Sequence, residues 1–342
     1  MSIPKPSSTI FLLLALVTAA LSFTANASEC VGNGNLSVYW GEKSPEEEST
    51  LDFTCGSSGR YTIVILQSLI VYDNGKTPRL NLGNHCGSAG YPCYNLESQI
   101  KSCQQRFKVR VFLSIAIDRT LSTTNSNLTA SPDAAENLAN YLLENFLSGK
   151  PGPLGNVSLD GIDFPDVSEG ENLHWDEVVK AINASTTARK IYLSASPQCV
   201  YPDHYLGSAI RTGLFDYIRV QFFYQNRCIY TPGNPSNLFS EWNQWTKNVP
   251  NSLIFLGLVA SPEVAGYIDY TPLINDVLPF VRQSSNYGGV MIWNRYYDKP
   301  TYYSVLLQGH VQRKCRCVCE GDDGFAPNGL YGLRSGSQPL SI

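Results

Sequence analysis

The chain has 342 residues, of which 43% are hydrophobic and 16% charged, and its formal net charge is −4. That balance suits a globular protein with a full apolar core, and the length accommodates one large domain. The charge excludes the basic footprint of a nucleic-acid binder.

Residues 1–27 read as a secretory signal. Lys5 lies in the n-region, the run from Ile10 to Val17 begins the apolar region, and Ala25-Asn26-Ala27 is a small-x-small cleavage site. The apolar run is too short and too early for a membrane span, and no second such run follows, so the expected product is exported and free of membrane. Short apolar runs rich in β-branched and aromatic residues then recur at 36–40, 62–66, 109–115, 157–164, 190–194, 217–223, 253–258 and 289–293. Helical patterns fall between them, for example at 133–146, 175–183 and 272–283. Strands alternating with helices imply parallel pairing through crossover helices. Eight such units predict a (β/α)8 barrel over residues 28–319, with its working face at the C-terminal strand ends. Residues 320–342 are rich in Gly, Ser, Asp and Pro without periodicity and read as a mobile or processed tail.

All ten cysteines lie beyond the signal, and export makes disulfides the default, although spacing alone does not pair them. Cys315-x-Cys317-x-Cys319 lacks an obvious fourth ligand, so neither a metal nor a cofactor is expected. Four sequons follow the signal, at Asn35, Asn127, Asn156 and Asn183. Asn35 and Asn156 border predicted strands. Asn127 and Asn183 fall in loops and are the glycosylation candidates.

The stretch Leu159-Asp160-Gly161-Ile162-Asp163-Phe164-Pro165-Asp166-Val167-Ser168-Glu169-Gly170 resembles the catalytic strand of glycoside hydrolase family 18, whose pattern is Asp-Gly-x-Asp-x-Asp-x-Glu. Other segments are similar to the class III, hevamine-type plant chitinases. They include Val38-Tyr39-Trp40-Gly41, Pro197-Gln198-Cys199-Val200-Tyr201-Pro202-Asp203, Thr212-Gly213-Leu214-Phe215-Asp216-Tyr217 and Tyr287-Gly288-Gly289-Val290-Met291-Ile292-Trp293. In that family the terminal Glu protonates the glycosidic oxygen. The substrate's own N-acetyl group is the nucleophile, an exception to the two-carboxylate rule. The Asp before the acid orients the acetamido group, and a Tyr from a later strand holds its oxygen.

Here Asp160, Gly161 and Asp163 fit, but no Glu stands at the acid position. Without a gap, Pro165 replaces the second Asp and Val167 the acid. With one inserted residue, Asp166 and Ser168 take those places. The second alignment restores register with Gly170 and Leu173-His174-Trp175-Asp176, and it requires a bulge, where Pro is tolerated. Neither Val nor Ser is a carboxylic acid, and losing a general acid costs roughly 10²–10⁴-fold. Glu169 is the displaced-acid candidate, but it lies two residues, roughly 6–7 Å, beyond the slot. Phe223 stands where the pattern Gln-Phe-Tyr has its catalytic Tyr; the neighbouring Tyr224 would face the other way on a strand. Ala116 and Ile117 replace two glycines, narrowing the sugar cleft. Gln67-Ser68 replaces Ala-Phe, removing an aromatic wall and, on this reading, its unusual peptide geometry.

No catalytic residue is therefore assigned: Asp163, Asp166, Ser168 and Phe223 are degenerate positions. Tyr39, Asp163, Gln221 and Trp293 remain as the implied sugar-binding set, with Trp293 as the cleft floor. The competing structural reading makes Asp160 and Asp163 buried carboxylates whose hydrogen bonds hold the barrel, Gln221 a buried amide and Trp293 a core residue. The resemblance implies disulfides Cys55–Cys103, Cys86–Cys93 and Cys199–Cys228. The pairing of Cys30, Cys315, Cys317 and Cys319 stays open. Closure of a barrel brings its first strand beside its last helix, where Cys30 could pair with one of the last three and the other two with each other; an intermolecular bridge is the alternative.

The implied function is that of a monomeric, secreted chitinase-like protein of the apoplast, or of the vacuole, acting in plant defence. It would bind a chito-oligosaccharide or a microbial xylanase without cutting. A weak endochitinase acting on β-1,4-GlcNAc polymers and a seed or vegetative storage protein are the alternatives. In the related xylanase inhibitors a basic side chain on the loop before strand five enters the target's cleft, and Arg189 is the matching candidate here.

Overall fold

The computed structural model describes residues 34–58, 61–72, 77–87, 92–118, 131–165, 174–185, 187 and 189–312. The signal expectation, the tail, Cys30, Cys315, Cys317, Cys319, Asn127, Asp166, Ser168 and Glu169 lie outside the described residues. Among the described residues nine strands form one sheet: β1 (Asn35–Trp40), β2 (Ile63–Tyr72), β3 (Arg79–Leu80), β4 (Arg110–Asp118), β5 (Gly161–Pro165), β6 (Tyr192–Ser196), β7 (Tyr217–Gln221), β8 (Leu253–Val259) and β9 (Tyr287–Trp293). The order is β1-β9-β8-β7-β6-β5-β4-β2, and β1 also pairs with β2, so eight parallel strands close into the expected (β/α)8 barrel. All eight predicted strands are present. The two-residue β3 is an addition, antiparallel to β2 through Leu69 and Leu80. It was not legible because two residues carry no periodicity.

The helices form where caps and apolar spacing coincide. Ser131 accepts a hydrogen bond from the backbone of Ala134 and Pro132 follows it, starting the helix Pro132–Leu142. Ala135, Leu138, Ala139 and Leu142 recur at helical spacing and are buried. A π turn, Leu143–Leu147, continues this helix. In the helix Trp175–Ala184 the buried face is Trp175, Val178, Val179 and Ile182. Trp175 sets its ring edge-on to Phe164 of β5, with centroids 5.3 Å apart.

Alternation along each strand makes two cores. Val38, Leu66, Ile162 and Val220 point outward into the helix shell. Tyr39, Ile65, Phe112, Phe255 and Met291 point inward and fill the barrel itself. Gly161 belongs to the inner set, and its place in the motif has a steric reason. A Cβ there would lie 2.2 Å from the backbone oxygen of Tyr192 and 2.5 Å from the Phe112 ring. At Gly289 the backbone is left-handed (φ +141°) and a Cβ would lie 1.9 Å from the Asn35 oxygen.

The three disulfides implied by the resemblance are formed: Cys55–Cys103, Cys86–Cys93 and Cys199–Cys228. The first joins the helix Leu51–Gly56 to the π turn Ser102–Arg106, closing a sequence separation of 48 residues. Among the described residues no helix is long and apolar enough to cross a membrane.

Gly161→Ala tests the inner packing. The added methyl meets backbone, which cannot rotate aside, so a loss of about 1–3 kcal/mol in stability is expected. Thermal unfolding of the variant checks it; an unchanged midpoint refutes the close approach.

Candidate functional site

Asp163 sits on β5 in the centre of the barrel, with its side chain 0% exposed. Its inward direction follows from unbroken alternation, since β5 pairs with β6 in register from Gly161 through Pro165. Because no shift interrupts that ladder, Pro165 takes the inward slot two residues beyond Asp163. Five side chains surround the carboxylate. The Tyr39 hydroxyl donates to Oδ2 at 2.6 Å and the Ser194 hydroxyl to Oδ1 at 2.6 Å. Ser114 donates to Oδ2 at 3.2 Å, and Ser196 lies 3.2 Å from Oδ1. From β7, Nη1 of Arg219 pairs with Oδ1 at 3.1 Å, and its side chain too is 0% exposed. An ionised carboxylate offers about four lone-pair sites; this one has no acceptor capacity to spare.

Arg219 was not singled out in the sequence. The signal was present: a charged residue in the middle of Tyr217-Ile218-Arg219-Val220-Gln221, a strand of a parallel barrel whose two faces are buried. Its Nε and Nη2 have no hydrogen-bond partner. Three aromatic faces surround the guanidinium instead, with Phe112, Tyr217 and Phe255 centroids 5.2, 5.4 and 5.4 Å away. Desolvated cation–π contacts are each worth up to about 2 kcal/mol. Tyr39 keeps its proton: burial, and then the Asp163 carboxylate, push its pKa well above the ordinary 10.0, with Arg219 acting in the opposite direction.

Above this layer lies the C-terminal mouth, where barrel enzymes carry their chemistry. Trp293 ends β9, half-buried, with its ring 5.0 Å from Tyr39 and 6.3 Å from Phe223. Gln221 ends β7 and donates from Nε2 to the Ser196 oxygen at 2.6 Å. The implied sugar-binding set is thus brought to one end of the barrel but at two depths. Gln221 and Trp293 show surface, whereas Tyr39 is 2% exposed and Asp163 0%. Phe223 is 2% exposed, packed under the loop that carries Val264 and Tyr267.

Two expectations are corrected here. The peptide bond between Gln67 and Ser68 is cis, so the unusual geometry is retained despite the changed side chains. Tyr224 also does not simply turn away. β7 has ended at Gln221, Tyr224 adopts a left-handed φ of 64°, and its ring is 56% exposed. Burial, then Tyr297 and Glu42, raise the pKa of its hydroxyl, and Trp293 opposes them, so these groups share the mouth. Glu42 in turn accepts a hydrogen bond from Asn294. Strand alternation could not place Tyr224 because the residue lies beyond the strand.

Asp160, the other motif carboxylate, lies at the opposite, N-terminal end. It accepts from the backbone of Val111 at 2.8 Å, from Gln104 at 2.8 Å and from Arg189 at 2.9 Å. It ties β5 to β4 and to the loop before β6. Arg189 is therefore engaged, with 49% of its side chain exposed. Among the described residues no group of three or more His, Cys, Asp or Glu is placed to hold a metal.

Two outcomes test the buried layer. Asp163→Ala leaves Arg219 an uncompensated cation and costs about 3–5 kcal/mol. The pair Asp163→Leu with Arg219→Met costs less than that single change; denaturant unfolding of both variants decides. Tyr39 has a raised folded pKa, so its contribution to stability is complete below the unfolded value near 10.0 and is lost as pH rises above it. Tyr39→Phe makes stability fall less steeply between pH 9 and 11 (about one unit either side of that value), read from urea midpoints.

The sequence profile of the glycosyl hydrolases family 18 matches residues 35–271. The acidic endochitinase of Vitis vinifera is 40% identical over 308 residues, covering 88% of this chain and 97% of that protein. The crystal structure of a tamarind chitinase-like lectin matches with TM-score 0.72 and 47% identity, covering 80% of this chain and 98% of that one. A xylanase-α-amylase inhibitor protein solved with trehalose matches with TM-score 0.70 and 33% identity, covering 82% and 99%. A matched profile spanning most of the barrel, and relatives aligned over nearly their whole length, establish that the chain belongs to glycosyl hydrolase family 18.

Proposed function

We propose that the protein is a chitinase-like barrel that binds chito-oligosaccharides at its C-terminal mouth without hydrolysing them. The observation that carries this reading is the Asp163–Arg219 pair. Substrate-assisted hydrolysis asks the carboxylates on this strand to orient and stabilise an acetamido group as charge develops on it. Asp163 is instead committed to a buried cation and to hydroxyl groups on three strands. Pro165, which has no polar side chain, occupies the next inward slot. Phe223 supplies no hydroxyl. The surface suited to sugar recognition persists: an indole face at Trp293, the Gln221 amide and the exposed Tyr224 phenol. The similarity to a chitinase-like lectin supports the same reading.

Inhibition of a microbial xylanase is the second reading, favoured by the likeness to the xylanase-α-amylase inhibitor proteins. Arg189 would serve it only after leaving Asp160, which weakens that route. Export to the apoplast or vacuole, and a role in defence, belong to the same proposal and rest on the N-terminal segment.

Titration of purified protein with a chitin tetrasaccharide, alongside an assay for its cleavage, tests the proposal. Binding without turnover is expected, and Trp293→Ala weakens it by about tenfold or more, equivalent to about 1.4 kcal/mol. Turnover that Glu169→Gln abolishes would overturn the reading and identify a displaced acid. Neither binding nor turnover would also overturn it and leave the xylanase reading to be assayed.

A further inference from the structure

The barrel carries a second concavity, at the end opposite the sugar cleft. A cavity of about 770 Å³ opens between the loop before β6, the loop before β7 and the start of β8. That volume lies within the range of sites that hold small molecules, roughly 300–1,000 Å³. Its wall includes Tyr192 and Tyr217, whose rings stack with centroids 5.7 Å apart and 16° between planes. Leu214 and Leu253 add apolar surface and Asn251 a polar group. The charged side chains on its rim are matched: Arg189 pairs with Asp160, and Lys190 with Asp216. An aromatic and aliphatic wall, a polar rim and no uncommitted charge on those pairs suit a neutral polyhydroxylated ligand.

The sequence supplies such a ligand at the rim. Asn183 and Ser185 both line the cavity, and they are the first and third positions of the sequon Asn183-Ala184-Ser185. Asn183 is exposed on the last turn of the helix Trp175–Ala184. In the folded protein the Ser185 hydroxyl donates to the Ile182 oxygen at 2.6 Å. Modification before folding would find that hydroxyl free.

We propose that Asn183 carries an N-linked glycan whose first sugar rings lie in this cavity, so that the protein's own carbohydrate fills its N-terminal mouth. The modification joins C1 of the first N-acetylglucosamine to Nδ2 of Asn183. It breaks the bond from C1 to a lipid-linked pyrophosphate donor and releases the lipid pyrophosphate and one amide proton. Attachment then makes docking intramolecular. A short tether gives an effective concentration in the millimolar range, so contacts too weak to capture a free sugar suffice to hold this one. The filled mouth also covers the loop bearing Arg189, closing that face to a protein partner while leaving the cleft at the other end open. The proposal rests on export, which the N-terminal segment predicts, and not on the activity of the cleft.

The test uses protein secreted from plant cells. Peptide mass mapping is expected to find hexosamine on Asn183. Release of that glycan by a peptide N-glycosidase from native protein is expected to be slower than from Leu214→Trp, which fills the cavity and expels the sugar, by about tenfold. Amide exchange over residues 213–217 is expected to quicken in Ser185→Ala, which keeps Asn183 but removes the sequon. An unmodified Asn183 in the secreted protein overturns the proposal. So does equal release from wild type and Leu214→Trp, or exchange that Ser185→Ala leaves unchanged. Chitin tetrasaccharide binding at the cleft stays the same in both variants, which separates failure here from failure of the proposed function.

Discussion

In the dry centre of the barrel, an aspartate from β5 faces an arginine from β7, and neither touches water. A pair of this kind is held less by Coulomb attraction than by the cost of stranding either member, because removing both charges from water is expensive. The surroundings reduce that cost in two ways. Hydroxyls of Tyr39, Ser114, Ser194 and Ser196 saturate the carboxylate. Aromatic rings of Phe112, Tyr217 and Phe255 face the cation. Residues from β1, β4, β5, β6, β7 and β8 thus converge on one ion pair, and the inner core is organised around it.

The same arrangement limits what Asp163 can offer the mouth above it. A carboxylate that acts on a substrate must have an oxygen free to face it; Asp163 spends both oxygens inside the barrel. Among the described residues, Trp293, Tyr224 and Gln221 show aromatic and amide surface at the mouth, and the Glu42 carboxylate lies beside them, bonded to Asn294. Aromatic and amide groups recognise a sugar by shape and hydrogen bonding. The fold is shared with proteins named as endochitinases, while the carboxylate at the centre of this barrel is held by its own neighbours. Fold and chemistry are separable in this way because the site is a small set of side chains carried on a scaffold.

The two motif carboxylates illustrate a division of labour along the barrel axis. Asp160 binds backbone and side chains at the N-terminal end, stapling β5 to its neighbours. Asp163, three residues further along, is inside the barrel. The Gly161 between them is dictated by packing, since its inward face lies against Phe112 and the Tyr192 carbonyl. The three residues that most resemble a catalytic signature thus each have a structural occupation in this chain.

Much of the architecture was readable locally. Eight apolar runs and the helical periodicity of Ala135-Leu138-Ala139-Leu142 are short-range patterns, and short-range patterns specify strands and helices. The three disulfides were legible only through resemblance, because spacing does not encode pairing. The chemistry of the site was partly legible. The absence of a Glu at the acid position and the Phe at 223 are visible in the letters. The partner of Asp163 was not, because Arg219 is 56 residues away and meets it only when β5, β6 and β7 lie side by side. Tyr224 escaped for a different reason: its direction depends on where β7 stops and on a left-handed residue, and neither follows from alternation. The sequence by itself determined the succession of elements and which residue types stand at the motif positions, because both are written in residue type and local order. Only the tertiary structure decided which of the remaining charges are neutralised and which rings reach the mouth, because those depend on strands brought together by barrel closure.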